Sequence, residues 1–293
     1  MQMEAKTKAV SVILNAPAPH MVGDGFRVHN FFPKGYKIKM SPFFMLDYNS
    51  KIEFSARNEP RGVGVHPHRG FETVTIAYHG AVAHHDSAGN SGIIYPGDVQ
   101  WMTAASGILH KEYHEEQFSK KGGAFQMVQL WVNLPAKYKM STPKYQDVKH
   151  SVMAKYNLDN DAGVIEVIAG EYNGIKGSAN TFSPLNLLNA RLNKGGMVYF
   201  DFPEDYNTGF VIIEGSVKIN GAEIAKTDQF VHFRNEGSKI EVEALENSVV
   251  LILSGEPINE PIAQYGPFLM NTPEEIQQAI SDYNQGKFGY LEE

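Results

Sequence analysis

Four side chains in two short segments have the types and the spacing of metal ligands. His66 and His68 are two residues apart in GVHPHRGFET, and His110 and Glu112 are two residues apart in GILHKE. In a β-strand, residues i and i+2 point to the same face. Two such pairs on neighbouring strands could therefore bind one cation through three imidazoles and a carboxylate. That donor set suits Fe, Mn, Ni, Cu, Co or Zn.

The other histidines carry weaker signals. A single HxH pair would be explained equally well by polar strand residues, and it is the second pair that favours a metal site. His84 and His85 are adjacent, so one of them must face inward on a strand, where it could support the ligands or lie at a loop edge. His114 would face the ligand side only if its strand continued that far. No partner can be named from sequence for His20, His29, His79 or His150.

The elements that must position these residues are predicted to be β-strands. Short runs rich in Val, Ile, Phe and Tyr are separated by Gly, Asn, Asp or Pro, and they cover residues 73–78, 99–103, 125–132, 164–169, 197–202, 210–213, 216–219, 240–244 and 249–254. Hairpins are predicted at residues 213–216 and at 219–222, where Asn220-Gly221 suits a type I′ turn. Thr272-Pro273-Glu274-Glu275 predicts the start of one helix near the C-terminus, and Gly286 can end it.

Composition excludes several classes of protein. The chain has no cysteine, which rules out disulfides, iron–sulfur clusters and a Cys nucleophile. A net charge of −7 argues against direct nucleic-acid binding. No apolar stretch is long enough to cross a membrane, and the first ten residues lack the apolar run of a signal peptide, so a cytoplasmic protein is expected.

A length of 293 residues favours two domains. Residues 134–148, with two prolines and three lysines, are predicted to connect them over the surface. We therefore expect an N-terminal, metal-binding domain over residues 1–138 and a C-terminal, metal-free domain with the closing helix over residues 139–293.

Long motifs in the chain resemble the pirin family of the cupin superfamily. They are HPHRGFETVT (66–75), PGDVQWMTAASGILHKE (96–112), QLWVNLP (129–135) and GEP…QYGPFLMNTPEEIQQAI (255–280). The resemblance implies an all-β bicupin, that is, two tandem cupin β-barrels with a short C-terminal helix. It also implies one divalent metal in the first barrel, expected to be Fe(II), with Mn, Ni, Co, Cu or Zn as alternatives. The implied ligands are His66, His68, His110 and Glu112, whereas Glu72 is not a ligand.

The resemblance also implies an activity. Some pirin-like proteins open the central ring of flavonols such as quercetin with O2 and release carbon monoxide. Here Glu112 would accept the proton of the flavonol 3-hydroxyl as the catalytic base. Phe71, Trp101, Met102 and Phe125 could line a pocket for the flat substrate, or they could simply be barrel core.

Two alternatives to flavonol dioxygenation remain open from sequence. Animal pirins act as nuclear co-regulators and some bacterial relatives bind metabolic enzymes, so the chain could be a non-catalytic, metal-containing protein that binds a transcription factor or an enzyme. It could also be a metal-binding bicupin whose substrate is not a flavonol, because fold alone does not fix chemistry.

A duplicated barrel should repeat its landmarks. Aligning Gly215 with Gly80 places Asp201 and Pro203 where the first barrel has His66 and His68. Aligning Asp228 with Asp98 places Ile240 and Val242 where it has His110 and Glu112. The second barrel is therefore expected to bind no metal, and His232 is expected to be a core or rim residue.

Overall fold

A computed structural model describes residues 6–293, so part of the N-terminal run on which the signal-peptide prediction rests lies outside the described residues. The described chain is built almost entirely from antiparallel β-strands. In chain order, the strands are β1 Val10–Asn15, β2 His20–Val22, β3 Phe26–Phe32, β4 Phe43–Phe54, β5 Gly62–His68, β6 Phe71–His79, β7 Val82–Asp86, β8 Ser91–Ile94, β9 Val99–Thr103, β10 Ile108–His114, β11 Gly123–Asn133, β12 Lys144–Val148, β13 Ala154–Asn157, β14 Gly163–Ala169, β15 Glu171–Tyr172, β16 Ile175–Lys176, β17 Leu185–Leu192, β18 Met197–Asp201, β19 Asn207–Glu214, β20 Ser216–Ile219, β21 Glu223–Lys226, β22 Gln229–Phe233, β23 Lys239–Ala244, β24 Ser248–Gly255, β25 Ala263–Tyr265 and β26 Phe268–Met270. The helices are α1 Glu116–Lys121 and α2 Pro273–Asn284, with single 3-10 turns at Ala136–Tyr138 and Asp159–Asp161.

The strands form two β-barrels, and each barrel has one seven-stranded and one four-stranded sheet. In the first barrel the sheet orders are β12-β9-β6-β11-β4-β3-β2 and β5-β10-β7-β8. In the second they are β1-β22-β19-β24-β17-β14-β13 and β18-β23-β20-β21. All nine strands predicted from sequence overlap strands of these sheets, and the prediction of an all-β fold with two tandem barrels is confirmed.

The compact units differ in their bounds from a division at residue 138. One unit contains residues up to Ala16, Lys39–Pro42 and Val152–Pro257, and the other contains Pro17–Ile38, Phe43–Ser151 and Ile258–Glu293. The early strand β1 belongs to the second barrel because it pairs with β22. The segment after Ile258, including α2, belongs with the first barrel, because it is bonded to the chain next to His68, as described below.

One of the two predicted hairpins is confirmed and the other is wrong. β20 and β21 pair across Asn220-Gly221, whose φ values of 51° and 70° match the turn expected there. The turn at Gly215 is not a hairpin, because β19 and β20 lie in different sheets. Gly80 likewise connects β6 to β7, which lie in the two different sheets of the first barrel. Gly80 and Gly215 have φ values of 79° and 80°, a region that favours glycine.

Helix α2 begins where its sequence predicts. The Thr272 hydroxyl accepts from the N–H of Glu275, whose carboxylate accepts from the N–H of Thr272, and Pro273 occupies the first helical position. Ile276 and Ala279 are buried against Phe268 and Met270 of β26. Within the described residues, no helix is long and apolar enough to cross a membrane.

The segment predicted to be a surface connection is more ordered than expected. Residues Lys144–Val148 form strand β12, which pairs with β9 along its whole length. Lys139 is buried, and its ammonium donates to Gly70 O, Asn133 Oδ1 and Leu269 O at 2.6–2.8 Å. The open edge of β9 and these three buried acceptors explain why this polar stretch is not a free loop.

Candidate metal centre

Strands β5 and β10 bring the two predicted ligand pairs side by side. They pair antiparallel, with His110 opposite His66 and Ile108 opposite His68. A register irregularity follows His110, so that Glu112 lies opposite Val63. Along β10 buried side chains alternate with partly exposed ones, and Ile108, His110 and Glu112 are all on the buried face.

Three imidazoles form a tight cluster at this crossing. The ring centroids of His66 and His110 are 4.2 Å apart, those of His68 and His110 are 4.8 Å apart, and those of His66 and His68 are 4.9 Å apart. One nitrogen of each ring lies within 4.8 Å of a nitrogen of the others. This separation suits three nitrogen donors around a single cation.

The hydrogen bonds of the rings show which nitrogens are free for a cation. Nδ1 of His66 lies 2.8 Å from Gly64 O, and Nδ1 of His68 lies 3.4 Å from Pro267 O. A backbone carbonyl can only accept, so each Nδ1 carries the proton and each Nε2 carries the lone pair. Nε2 of His110 is buried and, among the described residues, has no hydrogen-bond partner. The cluster therefore fits a metal ion that takes three Nε2 ligands.

Burial keeps two of these rings neutral. Loss of solvation lowers the pKa of His68 and of His110 well below the usual value, and the nearby His66 lowers both further. A neutral imidazole offers a lone pair, whereas a protonated one repels a cation. Two of the three rings, His68 and His110, are therefore in the neutral form that metal binding requires.

Glu112 does not join the three-histidine cluster directly. Its ligand oxygen groups with His84 and His110 in a second, fully buried cluster that shares His110 with the first. Three side chains bind its carboxylate: Gln129 Nε2 donates at 2.7 Å, Thr75 Oγ1 at 3.1 Å and Gln100 Nε2 at 3.4 Å. The predicted set of four ligands thus lies in one buried region, with the carboxylate on the His84 side of His110.

Sequence analysis left the role of the His84–Asp86 segment open, and the structure places His84 inward. Its side chain is fully buried, lies opposite Glu112 in the ladder and stacks on the ring of Tyr145 at 5.3 Å. His85 faces the other way and is 2.9 Å from the Tyr113 hydroxyl. His114 lies 2.8 Å from Gly25 O in a cluster of phenylalanines, and it does not reach the ligands.

The four proposed pocket residues are all buried, but they do not lie together. Phe71 is beside the cluster, 5.0 Å from the His68 ring. Met102 packs with Ile108 behind the ligands. Trp101 lies on one face of β9, whereas Gln100 and Met102 lie on the other. Phe125 belongs to the core around Phe26 and Met127.

Several residues that line the site were missed in the sequence. Trp131 stacks on Phe71 at 4.1 Å and lies 5.3 Å from the His68 ring. Thr75 lies between Gln100 and Gln129 in the register of β9, β6 and β11. A signal was present, because each of Thr75, Gln100 and Gln129 has an apolar neighbour on both sides in the sequence.

The second barrel has apolar side chains in the equivalent positions. Phe200 of β18 lies opposite Ile240 of β23, as His66 lies opposite His110, and Val242 lies opposite Ile219, as Glu112 lies opposite His84. Counting along β18 then gives Phe200 and Phe202 as the equivalents of His66 and His68. The sequence alignment that gave Asp201 and Pro203 was therefore wrong by one residue, which in a strand changes the face. Phe200, Phe202, Ile240 and Val242 are all in the apolar core.

Comparisons with known proteins agree with this architecture. Residues 25–132 match the pirin family, and residues 187–289 match the pirin C-terminal cupin domain. A Pseudomonas aeruginosa protein that carries a provisional name as a quercetin 2,3-dioxygenase is 47% identical over 270 residues, which cover 92% of this chain and 94% of that protein. Human pirin is 36% identical over 273 residues, covering 92% of this chain and 90% of pirin.

A solved structure extends the agreement to three dimensions. The crystal structure of a quercetin 2,3-dioxygenase from Acinetobacter baumannii is 45% identical and superposes with a TM-score of 0.92, covering 98% of this chain and 100% of that one. Both halves of the chain match: the first match covers most strands of the first barrel, and the second covers most strands of the second barrel together with the C-terminal segment that contains α2. The chain therefore belongs to the pirin family of the cupin superfamily.

Proposed function

We propose that this protein is a metal-dependent dioxygenase that opens the central ring of flavonols with O2, a reaction of the quercetin 2,3-dioxygenase type. The resident metal in this proposal is one divalent ion, Fe(II) in the first instance, with Mn, Ni, Co, Cu and Zn as alternatives. In this proposal the first barrel holds the metal through His66, His68, His110 and Glu112, and the second barrel binds none.

The observation that carries the proposal is the pairing of a tight three-imidazole cluster with a buried carboxylate. His66, His68 and His110 present their Nε2 atoms to one point. Glu112, two residues after His110 in β10, is only 4% exposed. When bound, the metal supplies coordination positions for a substrate hydroxyl oxygen and for O2. No cysteine is available for an alternative covalent chemistry.

Glu112 is the group of this chain that we assign to proton transfer. Its carboxylate can accept the proton of the flavonol 3-hydroxyl, because a substrate oxygen at the cluster would lie within reach of a side chain that already groups with His110. Gln129, Gln100 and Thr75 donate to the carboxylate and fix its direction. Trp131, which stacks on the buried ring of Phe71 beside His68, is partly exposed and offers a flat apolar surface for an aromatic ring system.

The overall reaction needs no other redox partner. Both oxygen atoms of O2 enter the products, and the ring carbon that bore the 3-hydroxyl leaves as carbon monoxide. Support for this substrate class comes from relatives, since a protein 47% identical to this chain and a solved structure 45% identical to it both carry the name quercetin 2,3-dioxygenase, the former provisionally.

Turnover of quercetin by protein loaded with defined metals tests the proposal. Metal-free protein would be loaded anaerobically with each of the metals above and then mixed with quercetin and O2. We expect equimolar O2 uptake and carbon monoxide release with at least one metal, and neither with metal-free protein or with His66→Ala. If every metal binds and none supports turnover, the dioxygenase assignment is wrong. In that case a metal-containing protein that binds a transcription factor or a metabolic enzyme becomes the better description.

A further inference from the structure

A buried carboxylate at the end of β7 makes more hydrogen bonds than any of the four proposed ligands. Asp86 is 4% exposed. Its Oδ1 accepts from the N–H of Ala88 and from the N–H and side chain of Asn90, at 2.9–3.1 Å. Its Oδ2 accepts from Asn90 Nδ2 at 2.9 Å and lies 3.3 Å from His84 Nε2. The carboxylate therefore has a set orientation and only accepts.

The amide of Gln100 determines which nitrogen of His84 accepts. The Tyr145 hydroxyl donates to Gln100 Oε1 at 3.4 Å, and Gln100 Nε2 is 3.4 Å from the Glu112 carboxylate. These two neighbours fix the amide, because a carboxylate needs a donor. Gln100 Nε2 is also 3.2 Å from His84 Nδ1. His84 Nδ1 is thus an acceptor, and its Nε2 carries the proton and faces Asp86.

His84 in turn faces the ligand His110. The two Nδ1 atoms are 3.5 Å apart, and both rings are fully buried. Since His84 Nδ1 carries a lone pair, it can only accept a hydrogen bond here, so the proton between the two rings is on His110 Nδ1. His110 then has its own lone pair on Nε2, the buried atom that has no partner among the described residues.

We propose that Asp86 and His84 are positioning residues that act in series: Asp86 fixes the tautomer of His84, and His84 fixes His110 with its Nε2 lone pair directed at His66 and His68. Gln100 links the same series to Glu112, so one polar chain orients both a nitrogen and the oxygen ligand. The inference rests on the metal centre of the proposed function and does not depend on its substrate.

The second barrel supplies an internal comparison. Ile219 occupies the position of His84, opposite Val242, and Val231 lies opposite Phe210 as Gln100 lies opposite Thr75. All four of these second-barrel residues belong to the apolar core. Where the barrel has no metal-binding side chains, the supporting polar residues are absent as well, which is expected if their role is to orient ligands.

Nitrogen NMR of the histidines tests the tautomers without any metal or substrate. Long-range ¹⁵N–¹H correlation distinguishes Nδ1–H from Nε2–H rings, and we expect metal-free wild-type protein to show Nε2–H for His84 and Nδ1–H for His110. An Nε2–H tautomer at His110 would overturn the proposal, whatever the variants do.

Metal affinity of variants tests the consequence. His84→Leu removes the acceptor, and its Co(II) or Zn(II) affinity, measured by competition with a chromophoric chelator, should fall by about 10–100-fold. His84→Asn, whose amide oxygen can accept near the position of Nδ1, should recover part of that loss, and Asp86→Asn should show an intermediate loss. His85→Ala is the matched control on the same strand, because its ring faces away, and its affinity should equal that of wild type.

Two results would contradict the inference. One is an unchanged His110 tautomer and wild-type affinity in folded His84→Leu. The other is a metal-loaded spectrum in which a nitrogen of His84 is itself bonded to the metal, since His84 would then be a ligand. Wild-type protein that binds metal with the expected tautomers but turns over no flavonol would refute the dioxygenase proposal and leave this inference standing.

Discussion

Arg69 and Asp282 form a buried ion pair, with Nη1 and Oδ2 2.9 Å apart. Arg69 directly follows His68 in the chain, and Asp282 lies in α2, more than two hundred residues later. Backbone hydrogen bonds also join the C-terminal segment to Arg69: Arg69 N–H donates to Pro267 O, and Leu269 N–H donates to Arg69 O. Since Pro267 O also faces His68 Nδ1, the C-terminal segment helps to hold a ligand of the metal centre.

Loss of this ion pair should destabilise the protein. Asp282→Ala leaves the buried guanidinium of Arg69 without its carboxylate, which typically costs about 3–5 kcal/mol in the free energy of unfolding. Urea unfolding at pH 7 measures the change. Glu116→Ala, which removes an exposed ion pair with Lys120, is the control and should leave the free energy nearly unchanged.

The same ion pair predicts a dependence on acid. Hydrogen bonds from Lys287 and Arg69 lower the pKa of Asp282 to about 2, from 3.8. A carboxyl with a lowered pKa stabilises the folded state above its unfolded pKa, and the stabilisation is lost as the pH falls from about 4 towards 2. The stability difference between wild type and Asp282→Ala should therefore shrink in that window. A difference that stays constant from pH 7 to pH 2.5 would contradict this assignment.

Glu72 should have the opposite effect on stability. Burial raises the pKa of Glu72 from 4.5 to about 7, although Thr103 donates to it at 2.7 Å. Between these two values the folded protein holds a proton that the unfolded chain has lost, so the free energy of unfolding falls as the pH rises from 4.5 to 7. Glu72→Gln should remove this fall and be more stable than wild type at pH 8 by about 1–3 kcal/mol.

Exposed Glu53 provides the control for Glu72. Glu53→Gln should follow the wild-type profile of stability against pH. If Glu72→Gln also follows it, Glu72 is ionised in the folded protein at neutral pH and the predicted cause is wrong.

Metal content should be one ion per chain. His66→Ala and His110→Ala should each lose most of the metal and remain folded, because apolar packing stabilises barrels of this size. His232→Ala, in the second barrel, should keep one ion. Elemental analysis and far-UV circular dichroism measure both properties, and two ions per chain, or unfolding on chelation, would refute the prediction.

The cluster of His66, His68 and His110 could be predicted from sequence because the signal is local. His66 and His68, like His110 and Glu112, are two residues apart, and strand geometry alone places each pair on one face. Gln100, Gln129 and Thr75 could not be assigned to Glu112 in this way, because they come from three strands whose order is set by long-range pairing. Pro267 is even farther from His68 in the sequence, because it follows the last strand of the second barrel.

The single wrong alignment has a similar cause. Gly80 and Gly215 are equivalent, but Phe210 follows Phe202 by eight residues, whereas Thr75, the equivalent of Phe210 in the strand pairing, follows His68 by only seven. One extra residue moved the assignment from Phe200 and Phe202, which face the core, to Asp201 and Pro203. Side-chain alternation within β18, which is exposed, buried, exposed, buried and exposed, would have placed the core-facing residues correctly.

Glu112→Gln separates the proposed base from a ligand that only balances charge. Glutamine keeps the shape and an oxygen that can coordinate, and its amide can accept from Gln129 while donating to the Thr75 hydroxyl, so the fold should persist. We expect weaker metal binding and, per bound metal, a loss of about 10²–10⁴-fold in flavonol turnover, which is the range for removing a general base. Raising the pH so that the flavonol is already ionised should restore part of the rate in the variant.

His85→Ala, on the outer face of the neighbouring strand, is the control. It should retain wild-type turnover, which would show that the loss in Glu112→Gln is specific to the site. Unchanged turnover per bound metal in Glu112→Gln would eliminate the base assignment, and Glu112 would then act through its charge alone.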